Sequence, residues 1–379
     1  MSSGPLNRRR FLGYSAAAGL ALSQGAPGAG AAPVRVGMIG LGNRGTALLR
    51  AALDLPGFEI AAVCDRNLRN GQRCQGIVEK ATGKRPDYVD QIAPLLARPD
   101  LDAVIAALPC DQHARVYGQA LEADKHLFAE KPIAISHAEC STLRTQVAKA
   151  GNLAFQVGFQ RRWSARYQDA VSRMQRGDIG SLLACECGWS GQGPIDARGG
   201  WLGRRARSGD LMLEQAVHLW DLLCWVQGGP PEVAFGHGRR DLFRAIDPER
   251  DVTDWYVAEL TWPDGFHASV RHSWIDLPVH ATQGLQVRFL GSDGAIDLGA
   301  GTVNYREKSR PREVLASSTT SDTHAALRAF LDAVRSDQGL AEPTKRNVEE
   351  AILASEVGLL VRRAVDERRC LSWQEAAAG

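Results

Sequence analysis

The chain of 379 residues has few of the features that mark several classes of protein. Its formal net charge is only +2, so composition gives no sign of a nucleic-acid-binding surface or of a membrane-surface patch. No apolar run is long enough to span a bilayer, which argues against membrane insertion. The eight cysteines form no Cys-x-x-Cys pair, and no metal-ligand spacing is found. We therefore expect no nucleic-acid partner, no membrane span, no disulfide framework and no metal.

What the chain does have begins with an export signal. The pattern Arg8-Arg9-Arg10-Phe11-Leu12 opens a mildly apolar stretch that ends in the small residues Ala29-Gly30-Ala31. This combination is typical of a twin-arginine signal peptide with its cleavage site, rather than of a basic tail on a cytoplasmic enzyme. We expect residues 1–31 to be the signal peptide and the mature protein to be periplasmic or otherwise exported. Because that pathway moves folded proteins, any cofactor that the chain holds is expected to be bound before export and to stay bound.

Two different patterns of predicted strands and helices follow the signal peptide. Short apolar strands alternate with helical stretches from Val34 to about residue 154, which predicts a parallel sheet covered on both faces. Beyond that point, a long helix over Leu211–Val226 is followed by strands joined by tight turns such as Pro263-Asp264-Gly265, which predicts a largely antiparallel sheet. The fold class is therefore α/β. A Rossmann domain is expected over residues 33–155, and an α/β domain with a large open sheet, and C-terminal helices returning toward the first domain, over residues 156–375.

A glycine-rich turn, Gly40-Leu41-Gly42-Asn43-Arg44-Gly45, joins the first predicted strand to the first helix. Glycines there allow the backbone to approach a pyrophosphate at the positive helix N-terminus, and Asn43 and Arg44 are expected to lie against the phosphates. Asp65, at the end of the second strand, is placed to accept hydrogen bonds from the adenosine ribose, which favours NAD. Arg66 beside it keeps NADP open, because an arginine can bind a 2′-phosphate.

Two more segments follow predicted strands directly, at the edge where ligands bind in such sheets. In Leu108-Pro109-Cys110-Asp111-Gln112-His113, Asp111 is expected to cap the next helix, and His113 suits a structural or a cofactor-binding role equally well. In Glu130-Lys131-Pro132, Lys131 is placed to approach the nicotinamide ribose or the reacting hydroxyl, and desolvation would let it join proton transfer. Leu108, Pro109, His113, Glu130 and Lys131 are thus predicted cofactor contacts.

A possible acid–base pair lies on the long predicted helix. Glu214 and His218 are four residues apart, so on one helix they share a face and can hydrogen-bond. A carboxylate holding one imidazole nitrogen raises the basicity of the other, which suits removal of a proton from a sugar hydroxyl. Asp221 is expected to bind a hydroxyl. On spacing alone, a capping pair packed at a domain interface is the simpler interpretation.

Four segments, in this order, resemble the motifs of the Gfo/Idh/MocA family of oxidoreductases: Gly40–Gly45, Leu121–Pro132, Val157-Gly158-Phe159-Gln160-Arg161-Arg162 and Glu214–Asp221. The resemblance implies a nucleotide-binding domain followed by a domain whose open sheet commonly forms the oligomer interface, here of a dimer or tetramer. It also implies a catalytic set in which Lys131 and His218 match the family, while Glu214 stands where an aspartate is usual. Gln160, Arg161, Arg162 and Asp221 are the implied substrate contacts.

The expected function is that of an exported NAD(P)-dependent oxidoreductase. It would transfer hydride to or from a hydroxyl carbon of a sugar, sugar derivative or polyol. One alternative is a glycosidase or lyase that uses NAD for transient oxidation and elimination. Another is a non-catalytic sugar-sensing or structural module, which would need neither Lys131 nor His218 as an acid–base group. The sequence leaves open the sugar, the direction of transfer, and NAD against NADP.

Overall fold

The computed structural model describes residues 32–191, 200–276, 284–336 and 342–377. The predicted signal peptide, residues 1–31, lies outside the described residues. Among the helices that are described, none has the length and apolar character needed to cross a membrane. Within the same ranges, no group of His, Cys, Asp and Glu side chains is arranged to hold a metal ion.

Six strands and five helices form the N-terminal domain. The strands are Val34–Ile39 (β1), Phe58–Cys64 (β2), Asp87–Val89 (β3), Ala103–Ala106 (β4), His126–Ala129 (β5) and Phe155–Val157 (β6). The helices are Asn43–Leu53 (α1), Leu68–Thr82 (α2), Ile92–Leu96 (α3), His113–Glu122 (α4) and His137–Lys149 (α5). All strands are parallel, in the order β3-β2-β1-β4-β5-β6. This is the dinucleotide-binding order, and it confirms the predicted Rossmann domain.

Nine strands form the second sheet, with helices on one side. The strands are Leu182–Ser190 (β7), Val233–Arg239 (β8), Trp255–Thr261 (β9), His267–Ser273 (β10), Gly284–Gly291 (β11), Gly294–Asp297 (β12), Thr302–Tyr305 (β13), Glu313–Val314 (β14) and Leu371–Ser372 (β15). The helices are Ala165–Arg176 (α6), Arg205–Ser208 (α7), Leu211–Glu214 (α8), Val217–Gln227 (α9), Asp322–Arg335 (α10), Glu342–Glu367 (α11) and Trp373–Ala377 (α12). The order is β14-β13-β12-β11-β7-β10-β9-β8-β15, and every pair except β7–β10 is antiparallel. The predicted, mostly antiparallel sheet is confirmed.

The two sheets share one apolar core. A single buried cluster contains Ile39 and Ala106 from the first sheet, Val270 from the second, Trp220 of α9 and Leu360 of α11. Strands β9 and β10 alternate between buried and partly exposed residues, because one face of their sheet packs on helices while the other is open. The core therefore runs from one domain into the other without interruption.

A second buried cluster lies on the other face of the first sheet. It contains Val36 and Met38 of β1, Phe128 of β5, and Phe330 and Leu331 of α10. The rings of Phe128 and Phe330 meet edge to face, with centroids 5.7 Å apart. Helix α10 thus returns from the end of the chain to cover the nucleotide-binding sheet.

The predicted single helix over Leu211–Val226 is wrong. The chain forms α8 and α9 with a break at Gln215, where the backbone has φ −109° and ψ −54°. At the break, the indole Nε1 of Trp220 donates to the carbonyl of Met212 at 2.7 Å, which gives that carbonyl a partner in place of the amide that a continuous helix would supply. The break changes which side chains meet in the site.

Candidate active site

The glycine turn has the geometry that a bound pyrophosphate needs. Gly40 has φ +80°, and a Cβ there would lie 2.2 Å from the carbonyl oxygen of Ala107. A Cβ on Gly45 would lie 1.9 Å from the carbonyl oxygen of Gly40, so only glycine allows α1 to start this close to β1. Gly42 precedes α1 with no side-chain cap, and a Cβ there would meet no atom within 4 Å. Open space therefore lies beside the uncapped N-terminus of α1, next to the exposed Asn43.

Asp65 closes the same turn from the end of β2. Its Oδ2 accepts from the backbone N–H of Leu41 and its Oδ1 from that of Asn67, both at 2.8 Å. The carboxylate is thereby fixed beside the glycine turn, where the acidic residue of this fold meets the adenosine ribose. Arg66 is exposed next to it. The structure brings both predicted adenosine-side residues to the turn.

Arg44 and Glu130 form an ion pair beside the turn, in which the Arg44 side chain stays 37% exposed. Nε of Arg44 donates to Oε1 of Glu130 at 2.6 Å, and the Glu130 side chain is only 5% exposed. The backbone carbonyl of Glu130 also accepts from the hydroxyl of Tyr117 at 2.7 Å. Arg44 thus bridges α1 to the end of β5, rather than standing free for a phosphate as the sequence predicted.

The loop after β4 departs from two predictions. Asp111 does not cap α4: it lies within the 3₁₀ turn Cys110–Gln112, and Gln112 precedes α4 without a side-chain cap. His113 is buried, with Nδ1 at 2.6 Å from the carbonyl of Pro132 and Nε2 at 2.8 Å from that of Leu108. Burial lowers the pKa of His113. Because both ring nitrogens face carbonyls, His113 has none left for a cofactor and instead fastens the Leu108–Pro109 loop to β5's end.

Lys131 meets Glu214 across the two domains. Its Nζ donates to Oε1 of Glu214 at 2.9 Å and to the backbone carbonyl of the same residue. The Lys131–Pro132 peptide bond is cis. Burial lowers the pKa of Lys131, but the carboxylates of Glu214 and Glu130 outweigh it, so the pKa lies above that of an ordinary lysine. Lys131 is therefore an ammonium ion at neutral pH.

The predicted hydrogen bond between Glu214 and His218 is wrong. The helix break turns Glu214 toward Lys131, and neither ring nitrogen of His218 has a hydrogen-bond partner among the described residues; Nδ1 is fully buried. The imidazole is held by packing, with ring centroids 5.7 Å from Phe159 and 6.2 Å from Trp189. Burial, then the positive charges of Arg161, Lys131 and Arg44, hold the pKa of His218 well below its usual range. His218 is a neutral imidazole with free nitrogens.

The break is tied to a histidine that sequence reasoning missed. Nε2 of His272, on β10, lies 2.8 Å from Oε1 of Gln215, and Nδ1 of His272 lies 3.2 Å from the hydroxyl of Tyr256. Burial lowers the pKa of His272 to about 3, so the ring is neutral and donates through one nitrogen only. Its ring also stacks on Trp189 at 5.8 Å. No local pattern predicts the contact between Gln215 and His272, because the two residues are 57 positions apart in the sequence.

Arg161 and Arg162 are adjacent in the sequence, but among the described residues only Arg162 is paired with carboxylates. Nε and Nη2 of Arg162 donate to Asp221, at distances down to 2.7 Å, and its Nη1 pairs with Glu350 at 2.6 Å. Asp221 is thereby occupied, which corrects its predicted role as a hydroxyl contact. Arg161 instead lies against the rings of Tyr167 and Trp189, near His218. Gln160 begins the same 3₁₀ turn, Gln160–Trp163, and is partly buried.

Two family models match the chain over ranges that follow one another. Residues 34–159 match an oxidoreductase family with an NAD-binding Rossmann fold, and residues 167–297 match the GFO/IDH/MocA C-terminal domain. Together the matches span more than half of the chain. The chain belongs to the Gfo/Idh/MocA family.

Relatives of this Gfo/Idh/MocA protein include inositol dehydrogenases. Inositol 2-dehydrogenase from Salmonella typhimurium is 33% identical over 151 residues, which are 40% of this chain and 44% of that protein. scyllo-Inositol 2-dehydrogenase (NAD(+)) from Bacillus subtilis is 28% identical over 205 residues, which are 54% of this chain and 57% of that protein. The aligned stretches thus span about half of the length of these relatives.

Solved structures agree on the fold of the Gfo/Idh/MocA chain. A 3-ketoreductase from Actinomadura kijaniata, crystallised with NADP and TDP-benzene, has a TM-score of 0.73 at 22% identity. The match covers 88% of this chain and 98% of that one. At this identity the likeness shows the two-domain fold alone.

The family's nicotinamide cofactor fits the residues present. The open space at Gly42 would take the pyrophosphate, and Asp65 would take the adenosine ribose. Lys131 and His218 lie at the carboxyl edge of the first sheet, where the nicotinamide end of such a cofactor belongs. Bound there, NAD(P) would supply the hydride acceptor or donor, which no side chain of the protein can replace.

Proposed function

We propose that the protein is an NAD(P)-dependent oxidoreductase that transfers hydride to or from a hydroxyl carbon of a sugar, sugar derivative or polyol. One observation carries the proposal: an ammonium ion, Lys131, and a neutral imidazole with free nitrogens, His218, share the edge of a nucleotide-binding sheet. A non-catalytic module would need neither group. The names of the relatives, inositol dehydrogenases and a 3-ketoreductase, support a polyhydroxylated substrate.

The two groups would divide the work on the substrate hydroxyl. When the alcohol is oxidised, His218 has a free nitrogen to accept the hydroxyl proton, and the Lys131 ammonium stabilises the negative charge that develops on the oxygen. When a ketone is reduced, Lys131 donates a hydrogen bond or proton to the carbonyl oxygen. Glu214 is a positioning residue, because it holds the Lys131 ammonium in place and in its charged form.

Export and a captive cofactor complete the proposal. The twin-arginine pattern at residues 8–12 supports transport of the folded, nucleotide-loaded protein out of the cytoplasm. An exported enzyme that keeps its NAD(P) must return the hydride within its own cycle. It would do so by coupling oxidation of one sugar to reduction of another, by epimerisation, or by redox-assisted glycoside cleavage. NAD is the favoured cofactor because Asp65 stands at the ribose position, and exposed Arg66 leaves NADP as the alternative.

The open face of the second sheet supports a homo-oligomer. It forms a groove of about 850 Å³ lined by charged side chains that include Glu186, Glu259, Arg271 and Arg288. Phe235, on β8, is 45% exposed. Exposed aromatic side chains such as Phe235 are enriched where subunits meet, and this supports a dimer or tetramer. Light scattering on the purified protein would report its mass, and a monomer at micromolar concentration would remove this part of the proposal.

The first experiment asks what the purified protein contains. The exported form, prepared without added nucleotide, is denatured and its supernatant is analysed by mass spectrometry. Near-stoichiometric NAD or NADP is the expected result and identifies the cofactor. Protein that arrives empty and binds neither nucleotide would overturn the proposal in favour of a sensor.

The second experiment tests the roles of the side chains. His218→Ala should lower turnover at least about 100-fold, the usual contribution of one acid–base group, while the bound nucleotide remains. His137→Ala, at the partly exposed first residue of α5, serves as the control and should leave turnover unchanged. Full turnover in His218→Ala would remove His218 from the mechanism. Release of an aglycone from a glycoside without net NAD(P)H would select the glycosidase alternative.

A further inference from the structure

Arg161 is a cation without an acceptor. Its guanidinium carries five N–H donors, yet no side chain or backbone oxygen of the described residues accepts from any of them, and its Nη1 is buried. The guanidinium of its neighbour Arg162, by contrast, is paired with the carboxylates of Asp221 and Glu350. A half-buried charge with unused donors is costly to maintain unless a ligand completes it.

The guanidinium is nevertheless held in place. Its central carbon lies 5.0 Å from the ring centre of Trp189 and 5.8 Å from that of Tyr167. Burial lowers the pKa of Arg161, and two nearby carboxylates, Asp221 and Asp322, act in the opposite direction. Neither of them forms a hydrogen bond with Arg161, because Asp221 is engaged with Arg162 and Asp322 with Ser164. The aromatic rings fix the fork without consuming its donors.

Two tryptophans of neighbouring segments also carry unused donors. The indole Nε1 atoms of Trp163 and Trp274 are buried without a partner in the described part of the chain. Trp163 lies in the same 3₁₀ turn as Arg161. Trp274 is reached through a chain of ring contacts, from Trp189 to His272 at 5.8 Å and from His272 to Trp274 at 6.0 Å. The unused donors on the Trp189 side of the site, of which the Arg161 guanidinium supplies most, suit a ligand that brings acceptors rather than donors.

We infer that Arg161 is a specificity-determining residue that binds the carboxylate of an acidic sugar, such as a uronate or an aldonate. The inference rests on the proposed function, because it places this carboxylate beside the hydroxyl that Lys131 and His218 act upon. Trp189 contacts both Arg161 and His218, with its ring centre 5.0 Å from the guanidinium carbon and 6.2 Å from the imidazole centre. The acid group and the reacting hydroxyl therefore belong to one sugar ring.

A carboxylate matches the geometry better than a phosphate. It is planar and singly charged, so it pairs edge to edge with one guanidinium in a bidentate arrangement. A phosphate approaches two negative charges at neutral pH and would ask for a second free cation. Of the other cations around the site, Lys131 and Arg162 are each paired with a carboxylate, and Arg166 donates to the backbone carbonyls of Leu298 and Gly299.

Binding of matched acid–neutral pairs tests the inference without turnover. The probes are glucuronate with glucose, galacturonate with galactose, and gluconate with glucitol, titrated into the nucleotide-loaded protein by calorimetry or by tryptophan fluorescence. At least one acid should bind about tenfold or more tightly than its neutral partner, the usual effect of one charge-assisted bidentate pair. Arg161→Met should abolish that preference, and Arg161→Lys, which keeps the charge but not the fork, should retain part of it.

An exposed arginine on the helix that follows this turn supplies the matched control. Arg176, the last residue of α6, pairs with Asp178 at 3.2 Å, so Arg176→Met removes a guanidinium without touching the proposed site. The acid preference should survive that change. The inference is overturned if no acid binds more tightly than its neutral partner to the unmodified protein, or if the preference persists in a folded Arg161→Met. Hydride transfer from neutral sugars with no acid preference would overturn it while leaving the oxidoreductase proposal intact. Acid-selective binding in a protein that never transfers hydride would refute the oxidoreductase proposal instead.

Discussion

Replacing Glu214 by glutamine tests whether its carboxylate keeps Lys131 charged. Burial lowers the pKa of Lys131, and the carboxylates of Glu214 and Glu130 raise it by more, so the ammonium persists above the pH at which an ordinary lysine loses its proton. Glutamine keeps the size of the side chain and an oxygen for the hydrogen bond, but it removes the charge. The pKa of Lys131 should therefore fall, and its proton should be lost at a lower pH.

The size of the change follows from the distance and the burial of the pair. Nζ of Lys131 lies 2.9 Å from Oε1 of Glu214, and the side chains are only 14% and 17% exposed. Unit charges about 4 Å apart attract by roughly 4 kcal/mol at an effective dielectric constant of about 20, and about 1.4 kcal/mol is a tenfold change in proton affinity. With Glu130 still present and some solvent screening, Lys131 should bind its proton roughly 100-fold more weakly in Glu214→Gln.

Carbon-13 NMR of labelled lysines measures this directly. The sequence has seven lysines, so the Cε resonances are few, and the one that disappears in Lys131→Arg belongs to Lys131. Its titration is followed in the unmodified protein, in Glu214→Gln and in Glu214→Asp, which keeps the charge and serves as the control. If Lys131 titrates at the same pH in Glu214→Gln as in the unmodified protein, the carboxylate is not what holds the ammonium.

Two further predictions concern the fold around the site. Asp221→Asn should lower the free energy of unfolding by roughly 3 kcal/mol, because Arg162 loses the buried one of its two carboxylate partners. Urea unfolding measures the loss. The control is Asp241→Asn, in an exposed pair with Arg239, which should leave the unfolding midpoint unchanged. Similar midpoints for both variants would contradict a stabilising role of the Arg162–Asp221 pair. Gly45→Ala should destabilise the chain by roughly 1–3 kcal/mol through overpacking and weaken NAD binding, because the new Cβ would lie 1.9 Å from the carbonyl of Gly40. The control is Gly76→Ala in α2, whose new Cβ meets no atom within 4 Å and should stabilise the helix by about 0.5–1 kcal/mol. Thermal unfolding and NAD titration compare the two variants. Equal stability and equal NAD affinity of Gly45→Ala and Gly76→Ala would contradict the tight turn at Gly45.

Local patterns predict the first domain well. The predicted strands Val34–Ile39 and His126–Ala129 coincide with β1 and β5, because each is a short apolar run that ends at a turn or at Glu130-Lys131-Pro132. The glycine turn also lies where the sequence places it, between β1 and α1. Strands buried on both faces are recognisable from composition alone. The short strands β3 and β6 are not predicted from the sequence, because a segment of three residues is too short to show a periodic apolar pattern.

The partners of the site residues are harder to predict because distant segments decide them. The spacing of Glu214 and His218 implies a contact only on an unbroken helix, and at the break Gln215 is hydrogen-bonded to His272 of the distant strand β10. Strand β10 pairs in parallel with β7, a non-local arrangement inside an otherwise antiparallel sheet. Arg161 and Arg162 are equivalent in sequence, and only the packing of Trp189 and the position of Asp221 give them different roles.

The shared core has a consequence for engineering by recombination. Ile39 and Ala106 of the nucleotide-binding sheet are buried in one cluster with Trp220 of α9 and Leu360 of α11. A chimera that joins this nucleotide-binding domain to a relative's second domain would leave facing surfaces with mismatched shapes, and cavities or clashes there cost several kcal/mol. Crossover points chosen from the domain boundary alone should therefore give insoluble proteins. Exchanges that also repack the cluster residues facing the join, such as Trp220 and Leu360, should preserve the fold.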